Sequence, residues 1–328
     1  MSGWNVQAVL RWLSVSMPWA LLLPLTYIAG AFSAVLVQTA AERKQLMPNV
    51  EAIGLGAVTN FFDTLGIGSF APSMAWLKLR KMAPDSYFPA ILNAGHALPT
   101  VAEALVFIAL VQVDPALLVG CIFSAILGSW VGEPIVQRAP VKLVQTVVGI
   151  ALLVAALLFA LKNLDSGFPA INFLFIHTPP IAPTHILPPG GGVDATALPM
   201  ALFVVAIIGH FIMGVLMMFG IGLYAPSLIL LSILGLNPIA AFPIMMGSCA
   251  FLMPISGARF VRTDRIDLRI VLGMAIGGIP AVLVAALVVK SMDLVTLRWL
   301  VVVVVLYAAG LLLRGALSPA KQPVAAAT

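Results

Sequence analysis

The residues of this chain best suited to chemistry lie in two copies of one short segment rich in glycine and proline. Gly66 to Ser73 reads Gly-Ile-Gly-Ser-Phe-Ala-Pro-Ser, and Gly220 to Ser227 reads Gly-Ile-Gly-Leu-Tyr-Ala-Pro-Ser. The match continues without a gap to positions 89 and 243, and 10 of the 24 aligned positions are identical. Composition alone would give roughly two identities. The offset of 154 residues is far too long for a solenoid, so we predict that the chain contains two copies of one structural unit.

Each copy has the composition of a broken helix whose second half begins inside the protein. The glycines free the backbone and end one helix, and the proline suits the first turn of the next, where a missing N–H does no harm. Such a helix start presents unpaired N–H groups and the positive end of the helix dipole. Two facing copies therefore predict a clamp for a small oxyanion. The predicted substrate-binding residues are Gly66, Gly68, Ser69, Ser73, Asn93, His96, Gly220, Gly222, Ser227 and Ser248. The alternative is that the glycines and prolines only let helices kink and pack closely.

Three ionisable residues inside apolar segments are candidates for binding a coupled proton: Asp63, Glu103 and His210. Ionisable groups at membrane depth are costly and usually functional. The second copy has Met217 and Gly257 in place of the two carboxylates, so the copies differ where coupling would occur. The alternative is a purely structural hydrogen bond to a neighbouring helix. Methionines near the second copy are interpreted as packing rather than as a soft-metal path, and with no His/Cys ligand spacing we predict neither metal nor cofactor.

Composition sets the environment of these elements. Hydrophobic residues make up 62% of the 328 residues, charged residues 9%, and the mean hydropathy is +1.11. So few charges cannot cover that much apolar surface in water, so the chain is predicted to lie in a lipid bilayer. Alternating β-barrel strands are absent, and the fold class is therefore an all-α polytopic membrane protein. The net charge of +5 comes from short clusters between apolar runs, which act as topology signals and predict no nucleic-acid partner.

The apolar segments divide the chain into five parts. Residues 1–45 form an interfacial segment and an extra first span, residues 46–162 form repeat A, 163–197 a Pro/Gly-rich external loop, 198–316 repeat B, and 317–328 a polar tail. A signal peptide is the alternative for the N-terminus. An uncleaved span is preferred because its apolar run is longer than the usual signal-peptide core.

Basic residues choose between two arrangements of the repeats. If each glycine-rich segment crosses the membrane once, the repeats are parallel and the Lys and Arg residues divide 8 against 9. If each segment enters and returns to its own side, the repeats are inverted and the division is 13 against 4. The positive-inside rule favours the second arrangement, with three full spans in each repeat and a cytoplasmic C-terminus. We expect a bacterial inner-membrane protein with bilayer lipid as a partner, and a homodimer is left open.

In its twofold Gly-x-Gly-x-x-x-Pro segments, from Gly66 to Pro72 and from Gly220 to Pro226, the chain resembles the sulfite exporter TauE/SafE family of membrane transporters. The resemblance covers both repeats, but Ile67 and Ile221 interrupt the run of three glycines common in that family. It implies secondary active export of a small anion, a sulfur oxyanion or an organosulfonate. The alternatives are an anion channel and a transporter of small carboxylates. No enzyme activity is expected, because Leu223 stands where a serine nucleophile would repeat Ser69.

Overall fold

The computed structural model describes residues 6–66, 68–136, 195–218 and 220–291, two short strands, and isolated positions within 146–160 and 299–315. The last predicted span of each repeat (residues 142–162 in repeat A and 293–313 in repeat B) and the polar tail lie outside the described residues, apart from those isolated helical positions. The same holds for most of the predicted external loop. Its described part is an antiparallel pair of strands, Ile171–Phe173 and Ile176–Thr178.

Helices make up nearly all of the rest. They are α1 Val6–Glu42, α2 Val50–Thr64, α3 Phe70–Leu79, α4 Phe88–Leu110, α5 Pro115–Val136, α6 Met200–Met218, α7 Tyr224–Ile233, α8 Pro238–Val261 and α9 Leu268–Ser291. Six of them (α1, α4, α5, α6, α8 and α9) contain stretches long and apolar enough to cross a membrane. The predicted helical structure is thereby confirmed for the described residues, and the six long apolar helices are compatible with a polytopic membrane protein. The N-terminal segment and the first span belong to one continuous helix, α1.

Local sequence signals mark where several helices begin. Asn49 caps α2 by accepting a hydrogen bond from the backbone N–H of Ala52 at 3.0 Å. Asp114 does the same for α5, accepting from Leu117 N–H at 2.8 Å, and Asn237 accepts from Ile239 N–H at 2.9 Å at the start of α8. In both of these cases a proline follows the cap, where its missing N–H costs nothing.

Hydrogen bonds between connecting segments show which helix ends lie together. At one end, which we call the basic end, Asn49 N–H donates to the Arg269 carbonyl at 2.9 Å, and Arg80 pairs with Glu51 at 2.6 Å. Arg80 follows α3 and Glu51 lies in the first turn of α2, so these two helices form a hairpin. Nine basic residues flank the helix ends gathered here: Arg43, Lys44, Lys78, Arg80, Lys81, Arg259, Arg262, Arg265 and Arg269.

The opposite end, which we call the loop end, is held by two further backbone bonds. Asp114 N–H donates to the Thr196 carbonyl and Asn237 N–H to the Ala195 carbonyl, both at 2.9 Å. These bonds bring the start of α6 beside the end of α7, so α6 and α7 also form a hairpin. The central helices α4 and α8 run between the two ends in opposite directions.

Glycines bring two helix pairs into backbone contact. A Cβ placed on Gly273 of α9 would lie 2.6 Å from the carbonyl oxygen of Asn49, at the start of α2. A Cβ on Gly132 of α5 would lie 2.8 Å from the Cα of Val215 of α6. Close approach through small residues is the usual way for helices to pack in lipid. Each broken helix therefore packs on a helix of the other repeat. In repeat A, α2 packs on α9 of repeat B, and its counterpart α6 in repeat B packs on α5 of repeat A.

Candidate functional site

Both glycine-rich segments break the helix as the sequence predicts. After α2 the backbone takes positive φ angles at Gly66 (91°) and Gly68 (85°) before α3 begins at Phe70. After α6 it does so at Gly220 (77°), and α7 begins at Tyr224. Such angles are strained for residues with a Cβ. Gly222 does not share this conformation, so its small size matters more than its flexibility.

The two breaks lie against one another in a reciprocal way. A Cβ on Gly66 would lie 3.0 Å from Cδ2 of Leu228 in α7, and one on Gly220 would lie 3.3 Å from Cε of Met74 in α3. Leu228 and Met74 occupy equivalent positions of the two copies. A Cβ on Gly222 would lie 3.6 Å from that of Phe70. The ends of α2 and α6 and the starts of α3 and α7 therefore meet in the interior.

A small cavity lies where the breaks meet. Its lining residues come from both halves of the chain: Asp63, Gly68, Ser69, Phe70 and Thr100 from the first, and Met217, Gly222, Leu223, Tyr224, Cys249 and Met253 from the second. The volume open to the centre of a water molecule is about 10 Å³, room for about one water. The cavity is therefore too small for an oxyanion in this arrangement, and the two helix starts would have to separate to admit one.

The start of α3 has a carboxyl group beside it within the protein. Hydrogen bonding inside α3 begins with the Ser73 N–H, which donates to the Ser69 carbonyl at 3.1 Å, and no side chain caps the helix from Ser69. The Asp63 carboxyl lines the cavity beside Ser69 and is close enough to interact with it. The start of α7 has Met217 in the equivalent place, so the two helix starts differ in charge environment.

Glu103 connects the inner ends of both broken helices. It is fully buried in α4 and accepts a hydrogen bond at 2.8 Å from the hydroxyl of Thr64, the last residue of α2. Its other oxygen accepts from the hydroxyl of Tyr224, the first residue of α7. Asp63 is close enough to interact with Glu103 electrostatically. Two buried carboxyl groups thus lie close together, and the two hydroxyl groups that donate to Glu103 are neutral.

The two Ala-Pro-Ser serines are each bonded to a buried histidine. Ser73 Oγ lies 2.9 Å from His96 Nε2, and Ser227 Oγ lies 2.9 Å from His210 Nε2. The other nitrogen of His210 lies 2.8 Å from the Ala206 carbonyl, which can only accept. A neutral His210 therefore carries its proton on Nδ1 and accepts at Nε2 from the serine hydroxyl.

His96 follows the same pattern with different partners. Its Nδ1 lies 2.8 Å from Oδ1 of Asn60, whose Nδ2 donates to the Gly56 carbonyl at 2.7 Å. Four residues that were predicted to bind substrate or carry protons therefore do not line the cavity: Ser73, His96, His210 and Ser227. His96 lies in α4 and His210 in α6, at positions that are not equivalent in the repeats. Their hydrogen bonds to Ser73 and Ser227 link α4 to α3 and α6 to α7.

Two more predicted substrate-binding residues lie outside the cavity lining. Asn93 is fully buried in α4, where its Nδ2 donates to the Pro89 carbonyl at 2.9 Å. Among the described residues its Oδ1 has no hydrogen-bond partner, and neither has the hydroxyl of Ser248, which is fully buried in α8. Unpartnered buried polar atoms are uncommon. The structure does not bring these two residues to the cavity with Gly68 and Ser69.

Sequence reasoning missed the polar residues that complete the site. Thr64, Thr100 and Tyr224 were not singled out, although Tyr224 carried a signal. It replaces Phe70 at the equivalent position of the second copy, and that one change adds the hydroxyl that reaches Glu103. The two threonines carry no such signal, because threonine is common in helices of membrane proteins.

The fold and this interior site define a class: a helical membrane protein in which two broken helices meet around a small cavity with buried polar groups. No protein-family model, curated protein or solved structure matches the chain. Within the described residues, no group of three or more His, Cys, Asp or Glu side chains is arranged to hold a metal ion.

Proposed function

We propose that this protein is a proton-coupled secondary transporter of a small anion, with the anion bound between the starts of α3 and α7. The observation that carries the proposal is that both breaks line one interior cavity together with Asp63. Duplicated halves with broken helices at matching places are typical of transporters, and the breaks form their binding sites. The resemblance to sulfite exporters suggests a sulfur oxyanion or an organosulfonate as substrate and export as the direction.

Two inverted repeats account for the packing. Each hairpin returns to the end from which it started, α2–α3 to the basic end and α6–α7 to the loop end. In a membrane these hairpins would be re-entrant, although α6 alone has the length of a span. The basic end would face the cytoplasm, because the positive-inside rule places Lys and Arg there.

Asp63 gives a physical route to proton coupling. While Asp63 is ionised, a second anion at the start of α3 would meet like-charge repulsion from its carboxylate in an apolar interior. Protonation of Asp63 removes that charge and leaves the helix start free for substrate. Proton and anion would then be carried together, so that transport of a monovalent anion is electroneutral and outward flux follows the accumulated substrate.

Flux into proteoliposomes tests the mechanism. Sulfite, thiosulfate, sulfoacetate, chloride and acetate are offered in competition, and proton movement is followed with a pH-sensitive dye. Saturable anion flux with matching proton flux supports the proposal. Conductance that is indifferent to pH and does not saturate indicates a channel instead.

Variants at the cavity make the test specific. Asp63→Asn should keep anion binding and lose the accompanying proton flux, because the side chain can no longer exchange a proton. Gly222→Leu should abolish flux by filling the cavity. Gly30→Leu is the matched control, since Gly30 of α1 has no atom within 4 Å of an added Cβ. If Asp63→Asn transports protons as the native chain does, Asp63 is not the coupling residue.

Cysteine labelling tests the re-entrant hairpin. Met47 precedes α2, Lys81 follows α3, and Ala197 precedes α6, and all three are exposed. A reagent that cannot cross the membrane should label cysteines at positions 47 and 81 from the same side and one at position 197 from the other. Labelling at positions 47 and 81 from opposite sides would contradict the re-entrant arrangement and favour parallel repeats.

A further inference from the structure

The second half of the chain contributes a cluster of sulfur atoms to the interior cavity. Met217, Cys249 and Met253 all line it, and each is 1% exposed. Cys249 and Met253 are one turn apart on α8 and so share a face of that helix, while Met217 comes from the last turn of α6. The equivalent positions of the first half are Gly95, Pro99 and Asp63, none of which carries sulfur.

We propose that Met217, Cys249 and Met253 form a binding site for one soft monovalent cation of the copper(I) type. Cys249 Sγ and Met217 Sδ are 3.8 Å apart. Metal–sulfur bonds are about 2.3 Å long, so two sulfurs on one trigonally coordinated ion lie about 4 Å apart. Thiolate and thioether ligands select copper(I) over harder cations.

Size and charge both suit a bare ion. The cavity of about 10 Å³ is too small for an oxyanion but holds a single atom. On binding, the metal–sulfur bond to Cys249 forms and its S–H bond breaks, and Asp63, which lines the same cavity, accepts the proton. The bound cation neutralises the Cys249 thiolate and the proton neutralises the Asp63 carboxylate, so the loaded site carries no net charge in an apolar interior.

Silver(I) is a suitable probe because it shares the soft character of copper(I) and needs no reductant. The purified full-length protein in detergent, in nitrate buffer free of chloride and thiols, is titrated with silver nitrate and examined by native mass spectrometry. One silver ion per chain is expected. Cys249→Ala should weaken binding at least about tenfold, or about 1.4 kcal/mol, and Met217→Leu should weaken it without a large change in side-chain volume.

Cys121 provides the matched control, since it is a second fully buried cysteine, in α5, and is not part of the cavity lining. Cys121→Ala should bind silver like the native chain. The proposal is overturned if the native chain binds no silver, if both Cys249→Ala and Met217→Leu bind it unchanged, or if Cys121→Ala loses it. Binding in detergent needs no ion gradient, so this result is independent of anion flux measured without silver.

Discussion

Replacing Glu103 gives the most direct test of the interior site, because this one carboxyl group joins the ends of two broken helices. In Glu103→Leu, the Thr64 hydroxyl keeps its bond to the Asn60 carbonyl at 2.9 Å. Losing its bond to Glu103 therefore lowers the unfolding free energy only slightly. The Tyr224 hydroxyl has no such second partner among the hydrogen bonds described and would be left buried and unpaired. An unpaired buried donor costs about 1–3 kcal/mol, and a lost interhelical bond in a membrane costs about 0.6 kcal/mol on average.

The expected loss of unfolding free energy for Glu103→Leu is therefore about 2–4 kcal/mol. Tyr224→Phe removes the donor and restores the side chain found at Phe70, so the double variant should be more stable than the sum of the two single losses predicts. Glu103→Gln keeps an acceptor and should lose less.

Reversible unfolding in detergent with increasing dodecyl sulfate measures these free energies, and Glu42→Leu, at an exposed position of α1, is the control. A fully stable Glu103→Leu variant, or strictly additive losses in the double variant, would refute the assigned bonds.

Two further predictions concern α2 and its neighbours. Gly56→Leu should prevent folding or strongly lower the melting temperature, because an added Cβ would collide with the backbone of Met274. Gly54→Leu, on the exposed side of the same helix with nothing within 4 Å of a Cβ, should be neutral or slightly stabilising; equal behaviour of the two variants would contradict the packing. The hydrogen bond from Arg80 holds the pKa of Glu51 below its ordinary value of 4.5. The stability that this ion pair provides is present above pH 4.5 and is lost as the pH falls through the lowered pKa. The melting temperature of Glu51→Gln should therefore lie below that of the native chain at pH 7, and the difference should shrink towards about pH 3. A deficit that does not change with pH would show that the ion pair contributes nothing.

The sequence contains most of the information about where the chain breaks and little about what each break touches. The repeated Gly-x-Gly and Ala-Pro-Ser predict both interruptions, because only glycine takes positive φ readily and proline fits a helix start. The spacing Gly273-x-x-x-Gly277 was also visible and indicates a close helix contact. Its partner, α2, could not be predicted, because an internal alignment shows which elements are equivalent and not which ones touch.

The histidines show a second limit of prediction from the repeats. Ser73 and Ser227 are equivalent, yet one is bonded from α4 and the other from α6. Reasoning from the repeat alone would place two histidines at matching positions. The two serine–histidine hydrogen bonds instead use histidines on helices that are not equivalent, and only the three-dimensional arrangement shows this.

Packing across the repeats restricts how the cavity can open. If the halves of the sequence moved as rigid bodies, the backbone contacts of α2 with α9 and of α6 with α5 would both have to break. We expect instead that α2 moves with α9 and α6 with α5, and that the contact between the helix starts is the one that separates. A disulfide joining cysteines at Phe70 and Gly222, whose Cβ atoms would be 3.6 Å apart, fits the usual separation of about 3.5–4.5 Å and should arrest transport until it is reduced. Flux that continues while this disulfide is formed would show that the two helix starts do not separate during transport.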